Sequence, residues 1–438
     1  MRASLIQIWL RLQASYYFIP SLMVLGAMGL AYVTTRIDLA FQAEIAEALG
    51  WFLAGTADGA RSVLGAIAGS MISVAAVTFS LTMVAVTTAA GQYGPRLISN
   101  FMRDKANQVT LGTFLATFIY ALLMLRSVRI REAEAEIGLV PSVSVLVALI
   151  LTLLSVGVLI HFIHHIPETL NVGSLTSKVA RKLRTQIHTG IFPQQPGLEA
   201  SDCDALGDPF DPARVQAVRA DVPGFVEAIS LDGLAKWADE HALRVRLHCA
   251  PGDFLLSGDP IASVIADDPD TDYDHGGDDK LRTYIAQGSE RTEHQNVLFL
   301  ADELVEIAAR ALSPGVNDPF TAINCIHWYG EAAVAMMRVP TPPSCIGLPG
   351  ESPRVWTRTV DFERLMGVLF GQSRQYICED ENAARSALLT LYTIKGHATS
   401  RPETVVDRHI REMHEAIAQG GLSDAAKQRL RSGPPFRY

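Results

Sequence analysis

The chain has 438 residues, of which 49% are apolar and only 19% charged, and its net charge is −9. Globular chains average roughly 25% charged residues, so a strongly apolar segment must be concentrated somewhere. The acidic balance excludes a nucleic-acid binder, which needs basic surface to meet phosphate.

The apolar segment lies at the start. Residues 16–35, 62–95, 106–125 and 137–167 carry no formal charge, leaving histidine aside. A helix needs about 20 apolar residues to cross a hydrocarbon core of roughly 30 Å, and each stretch meets that length. None shows the polar face of a soluble core helix. Four membrane spans are therefore predicted, at about 16–35, 62–92, 107–126 and 142–165. The first is too long for the apolar part of a signal peptide and lacks a clear cleavage site, so it reads as retained. Ahead of it, Leu5, Ile6, Trp9 and Leu12 are spaced for a short interfacial helix.

Basic residues set the expected orientation. Arg2, Arg11, Arg96, Arg103, Lys105, Lys178, Arg181, Lys182 and Arg184 fall on one side, against Arg36, Arg61, Arg126, Arg129 and Arg131 on the other. The positive-inside rule then places the N-terminus and the C-terminal region in the cytoplasm. Residues 1–168 carry a net +1 and the remainder a net −10. The five cysteines, Cys203, Cys249, Cys325, Cys345 and Cys378, form no C-x-x-C pair and are expected to be reduced.

The second apolar segment holds 34 uncharged residues between Arg61 and Arg96. As a helix it would run about 51 Å, longer than the bilayer core, so it must tilt, project or break. Gly94-Pro95 stops it. Gly65, Gly69 and Ser73 form a small-xxx-small series, which admits a close helix neighbour. Ser73, Ser80 and Thr87 repeat every seven residues and Gln92 closes the run. These hydroxyls either pack against helices or line a hydrated path for an ion or small solute.

The fourth segment ends in His161, His164 and His165, which share a helical face. They are weak candidates for a metal site; imidazoles at a helix C-terminus also suit the dipole and the membrane interface, and the sequence favours that role.

Beyond the spans, residues 171–190 form a basic amphipathic helix suited to anionic headgroups. A polar linker runs to about residue 221. Residues 224–267 then read as strand, helix and further strands divided by Pro251-Gly252 and Gly258-Asp259 turns. Asp267, Asp268, Asp270, Asp272, Asp274, Asp278 and Asp279 follow without the glycine and glutamate register of a calcium loop, so an exposed acidic loop is expected. Helices are predicted over 296–312, 318–338, 361–379, 382–399 and 403–419, with Asp318 capping the second and Pro319 in its first turn. No nucleotide, nucleophile-elbow or zinc signature is present, so neither an enzymatic activity nor a cofactor is implied.

Four motifs carry a family resemblance: "ALSPGVNDPFTA" at residues 311–322, "GSERT" at 288–292, "PGDF" at 251–254 and "QYGPR" at 92–96. The chain resembles, over nearly its whole length, the bacterial family called domain of unknown function 2254. The resemblance singles out Arg291, Thr292, Ser313, Pro314, Gly315, Asn317, Asp318 and Pro319. It implies a predicted membrane protein of unknown activity. After the Arg-Thr pair this chain has Gln295-Asn296, where members tend to have Gln-Asp, so a carboxylate role there is not carried over.

The expectation is thus a mainly α chain. A four-helix transmembrane domain (1–168) leads through a juxtamembrane helix and linker (169–221) to a soluble α+β domain, made of a small β-rich unit (222–285) plus a helical bundle (286–438). The lipid bilayer and further copies of the chain are the expected partners. An oligomeric channel or transport-like protein with a cytoplasmic regulatory domain is the leading functional expectation. A membrane-anchored signalling or scaffold protein is the other.

Overall fold

A computed structural model describes residues 17–40, 57–94, 104–134, 142–189, 198–201, 208–268, 273, 275–339, 344–399 and 401–431. The interfacial helix expected around Trp9 lies outside them. The chain divides into two compact units, Met1–Ser174 and Leu175–Tyr438.

The first unit consists of α1 (Phe18–Ala40), α2 (Ala57–Tyr93), α3 (Lys105–Glu134) and α4 (Ser142–Leu170). All four are long and apolar enough to cross a membrane, over Phe18–Ala40, Asp58–Gly91, Lys105–Val128 and Ser142–His165. The four predicted spans are all present. Leu22, Leu25, Leu153, Leu154, Ile160 and Ile163 face outward, as helices solvated by hydrocarbon require. Helix α3 packs against α1, α2 and α4. Its Phe114, Tyr120, Ala121 and Met124 meet Ala27 and Ala31 of α1, Leu64 and Met71 of α2, and Ala148 of α4 in one core.

Two details of this unit differ from the sequence reading. Helix α1 does not stop near residue 35 but carries Arg36 and Asp38 to its end at Ala40. Asp38 is 4% exposed, so a carboxylate assigned to a loop sits between helices. Among the described helices of one copy, the close approach falls at a glycine that the sequence did not single out, and not at Gly65 or Gly69. A side chain added at either of those would meet nothing within 4 Å, whereas a Cβ on Gly112 would lie 2.6 Å from Met23 Sδ and 3.2 Å from Pro20 Cα.

In the second unit, α5 (Val172–Thr189) buries Val179, Leu183 and Ile187 on its apolar face. Two of its four basic residues are committed to the unit's own carboxylates, Lys182 to Glu293 at 3.1 Å and Arg184 to Glu331 at 3.4 Å. Both pairs are solvent-exposed and add little stability.

Two sheets follow. In the larger, the order is β1 (Glu199–Ser201), β8 (Cys345–Gly347), β9 (Val355–Trp356), β4 (Leu243–Leu247), β6 (Pro260–Ala266) and β2 (Gln216–Arg219). In the smaller, β3 (Gly224–Ile229) lies between β5 (Phe254–Leu255) and β7 (Ile285–Gly288). Val245 of β4 faces Val264 antiparallel and Val355 parallel, and all three are fully buried. Helix α6 (Leu231–Glu240) lays Leu234, Ala235, Trp237 and Ala238 into the same core. The strand–helix–strand order read from the sequence is present, and strands from 199–219 and 345–356 join it.

Part of the Asp-rich segment is outside the described residues. Within them, Asp267 pairs with Arg244 and Arg354, and Asp278 opens the short α7 (Asp278–Arg282) beside His275 and Arg282. These two carboxylates are ion-paired and largely covered rather than part of an exposed loop.

The remaining helices are α8 (Val297–Ala311), α9 (Pro319–Arg338), α10 (Phe362–Met366), α11 (Arg374–Ile377), α12 (Glu381–His397), α13 (Arg401–Gln419) and α14 (Asp424–Arg431). The single helix expected over 361–379 is broken by a wide π-type turn at Gly367–Gln372. Tyr329 of α9 is fully buried, stacks edge-on against Phe370 of that turn at 5.5 Å and donates to Leu304 O at 3.3 Å.

Cys249, Cys325 and Cys378 are free and buried, as expected of structural thiols. Cys345 is disulfide-bonded, which corrects the expectation of reduced cysteines throughout.

Candidate functional site

In the first unit, the candidates expected from the sequence lie mainly on the outward face of α2. At 100° per residue, Gly65, Gly69, Ser73, Ser80 and Thr87 fall within an arc of about 80°. Exposed Ala76 and Gly91 share it, and Gly65 alone of the set is partly covered. The opposite face, with Leu64, Ile67, Met71, Ala75, Thr78 and Thr82, is buried against the rest of the unit. The small-residue face therefore points away from the other described helices of the first unit. Two of its hydroxyls are satisfied inside the helix: Ser73 donates to Gly69 O at 2.8 Å and Thr87 to Met83 O at 2.7 Å. Gln92 lies in the last turn, before Gly94 with its φ of +121°.

The three histidines of α4 do not gather. His161 and His165 stack at 5.7 Å, and His165 Nε2 lies 3.4 Å from Asp104 Oδ2. Asp104 also accepts Ala106 N at 2.8 Å, at the start of α3. Among the described residues no cluster of three His, Cys, Asp or Glu could hold a metal.

Sequence reasoning missed a buried polar chain in the same unit. Asp38 accepts Val143 N at 2.9 Å and both the backbone N–H (3.1 Å) and the hydroxyl of Ser144. Tyr120 donates to Ser144 O at 3.1 Å and lies 3.0 Å from Thr34 Oγ1. A carboxylate at the N-terminus of α4 meets unsatisfied N–H groups and the positive end of the dipole. The signal available was Asp38 itself, an acid three residues past an uncharged run.

In the second unit the family motifs occupy two places. The Ser313-Pro314-Gly315 break joins α8 to α9. Asn317 adopts φ +50°, and Asp318 caps α9 by accepting Thr321 N at 3.2 Å and Thr321 Oγ1 at 2.6 Å. Pro319 stands at the first helical position, where its missing N–H costs nothing. Ser313 closes the turn, its hydroxyl donating to Arg310 O at 2.6 Å and its carbonyl accepting Asn317 N at 2.9 Å. Arg291 anchors to Asp302 of α8 at 2.8 Å, and the Thr292 hydroxyl is buried without a partner among the described residues.

The second place is a cleft. The Pro251-Gly252 turn, Asn296 at the head of α8 and the segment 357–364 enclose a cavity of about 50 Å³. Asn296 is 4% exposed, and its Oδ1 caps α8 by accepting Phe299 N at 3.1 Å. An Asn side chain supplies the acceptor that such a cap requires. Its Nδ2 has no partner among the described residues, and neither has buried Thr357 Oγ1. Gln295, at φ +54°, spends both side-chain atoms on Ile229, accepting its N–H at 2.9 Å and donating to its carbonyl at 3.3 Å.

Asp253 pairs with two arginines of the wall, accepting from Arg358 Nη1 at 3.1 Å and Arg364 Nη2 at 3.4 Å. Arg358 Nη1 also reaches His248 O at 2.9 Å. Burial, then the positive charges of Arg246 and Arg358, hold the His248 ring below its usual range. Burial and the nearby Asp253 charge push the Cys249 thiol up to about 12, so it is no thiolate nucleophile at neutral pH. The cleft is a cationic pocket with apolar walls and two idle donors.

A family model described as a predicted membrane protein, domain of unknown function 2254, matches residues 13–393. Uncharacterized proteins of Mycobacterium tuberculosis, in strains CDC 1551 / Oshkosh and H37Rv, and of Mycobacterium bovis are each 29% identical to this chain over 337 residues. The match covers 75% of this chain and 62% of theirs, so the chain accounts for less than two thirds of those relatives' length. No solved structure matches it.

Proposed function

The chain belongs to the predicted membrane protein family with domain of unknown function 2254, and from that premise we propose an oligomeric, channel- or transport-like protein whose copies meet along α2. The observation that carries this reading is the outward arc of Gly65, Gly69, Ser73, Ser80 and Thr87, opposite the face that the unit's described helices bury. Lipid tails pack against leucine as well as against glycine, so a long small-residue face gains most from another backbone at close range. One copy offers no lumen among its described residues, because Leu64, Phe114, Tyr120 and Met124 fill the space between the helices. A path for an ion or small solute would run between copies, with the second unit regulating it and no catalysis involved.

A second reading is a membrane-anchored scaffold, favoured by Ser73 and Thr87 bonding within their own helix rather than waiting for water. Cysteine placed at 80 separates the two, after the native cysteines are removed. Oxidative cross-linking of Ser80→Cys between copies, together with rapid labelling by a charged methanethiosulfonate, supports the path. Cross-linking without labelling supports the scaffold. Leu81→Cys, exposed on another face, serves as the lipid-side control, and absence of cross-linking at 80 removes the oligomer in both forms.

For orientation, the nine-to-five basic bias favours a cytoplasmic second unit in the inner membrane, while the disulfide at Cys345 favours an oxidising compartment. We propose the cytoplasmic side on the residue count. A reporter active only in the periplasm, fused after Tyr438, should stay silent; activity there reverses the assignment.

A further inference from the structure

We propose that the cleft beside the Pro251-Gly252 turn binds a small organic monocarboxylate. The inference stands on the second unit alone and does not depend on how the membrane helices assemble.

Buried polar groups are nearly always matched, so two adjacent exceptions ask for a partner. Asn296 Nδ2 and Thr357 Oγ1 are both buried and idle among the described residues, and both residues line the same cavity. Asn296 Nδ2 can only donate, and the hydroxyl can donate, so the missing group is an acceptor.

Charge fixes its sign. Arg358 and Arg364 line the cavity, and no carboxylate is among its walls. Each guanidinium gives only one nitrogen to the protein, Nη1 of Arg358 and Nη2 of Arg364, and the other N–H groups of each fork have no protein partner among the described residues. Asp253 offsets one of the two charges, leaving about one positive charge for a ligand. A cation is repelled, and a phosphate dianion would be only half neutralised. A carboxylate matches one charge, and its two oxygens offer acceptor sites for a fork, an amide and a hydroxyl together.

Apolar side chains, among them Leu247, Leu298 and Val360, make up most of the remaining wall. Such a surface suits a short hydrocarbon or aromatic body behind the anion, the usual division of a small-molecule site.

The test uses the full-length protein purified in detergent and titrated calorimetrically with acetate, butyrate and benzoate, then with butyramide and inorganic phosphate. At least one carboxylate should saturate in the millimolar range or tighter, and butyramide, which lacks the charge, should not. Arg358→Gln should weaken that binding at least about tenfold. Thr357→Val, nearly the same shape, should weaken it several-fold without lowering the unfolding temperature, because it deletes an unmatched hydroxyl. Saturation by no carboxylate, equal binding of butyramide, or unchanged affinity in Thr357→Val overturns the proposal. Phosphate binding as tightly as the best carboxylate overturns the monoanion assignment. If Arg358→Gln does not fold, the amide comparison and Thr357→Val still decide.

Discussion

Asp38 near the end of α1 accepts both the backbone N–H and the hydroxyl of Ser144, 106 residues away in the first turn of α4. One helix thus supplies the cap of another, inside an otherwise apolar bundle. Asp38→Ala would leave Val143 N, Ser144 N and Ser144 Oγ without their acceptor, at a cost of about 1–3 kcal/mol. Asp38→Asn keeps one acceptor and should cost less. Reversible unfolding in mixed micelles measures both, and an alanine variant as stable as the parent would show that the cap contributes nothing.

Gly252 and Asn296 are fitted to each other. Gly252 holds φ +97°, and a Cβ there would collide with the Asn296 amide that caps α8. Gly252→Ala should lose about 1–3 kcal/mol to the backbone conformation and about 1 more to the displaced cap. Asn296→Ser retains a capping oxygen on a smaller side chain. Combined with Gly252→Ala, it should therefore cost less than the two single changes added together. Strict additivity in chemical denaturation would exclude the steric account.

Asp318 holds the start of α9 through Thr321 alone, by the backbone N–H and the hydroxyl. Asp318→Ala should destabilise by about 0.5–2 kcal/mol, while Asp318→Asn retains most of the stability. Matching thermal unfolding of the alanine variant and the parent would refute the capping role.

His409 sits 4% exposed on α13, and neither ring nitrogen makes a hydrogen bond among the described residues. Burial holds its pKa down to about 4 despite the neighbouring Glu412, while Arg374 and Arg408 push in the same direction as burial. The unfolded chain then binds a proton near pH 6.5 that the folded chain refuses until about pH 4. Stability is full above 6.5 and falls as pH drops through that window, on the order of 1.4 kcal/mol per unit. Burial depresses His248 and His414 in the same sense. His409→Phe should flatten the fall between pH 6.5 and 4 in thermal unfolding; an unchanged slope would place the proton elsewhere.

The four spans, the cap at Asp318 and most helix limits in the second unit follow from the sequence. Each depends on residues within a few turns of one another. A membrane helix closes its own backbone hydrogen bonds, and a cap reaches three residues along the chain. The family motifs were legible too, but not what they do. Only the fold shows that "PGDF" and Asn296 meet at one cleft, and that "ALSPGVNDPFTA" builds a separate corner. Periodicity shows that a helix has faces without showing which neighbour each face meets. Hence the close helix contact within one copy, at Gly112, was not singled out by the spacing of small residues. Strands β8 and β9 are two or three residues long and carry no pattern of their own. β9 is a strand because β4, some hundred residues earlier, offers Val245 and Arg246 as partners for Val355 and Trp356, and β8 pairs in turn with β9. Contacts at that separation become favourable only once the intervening chain has been ordered, which is a property of the tertiary structure and leaves no local mark.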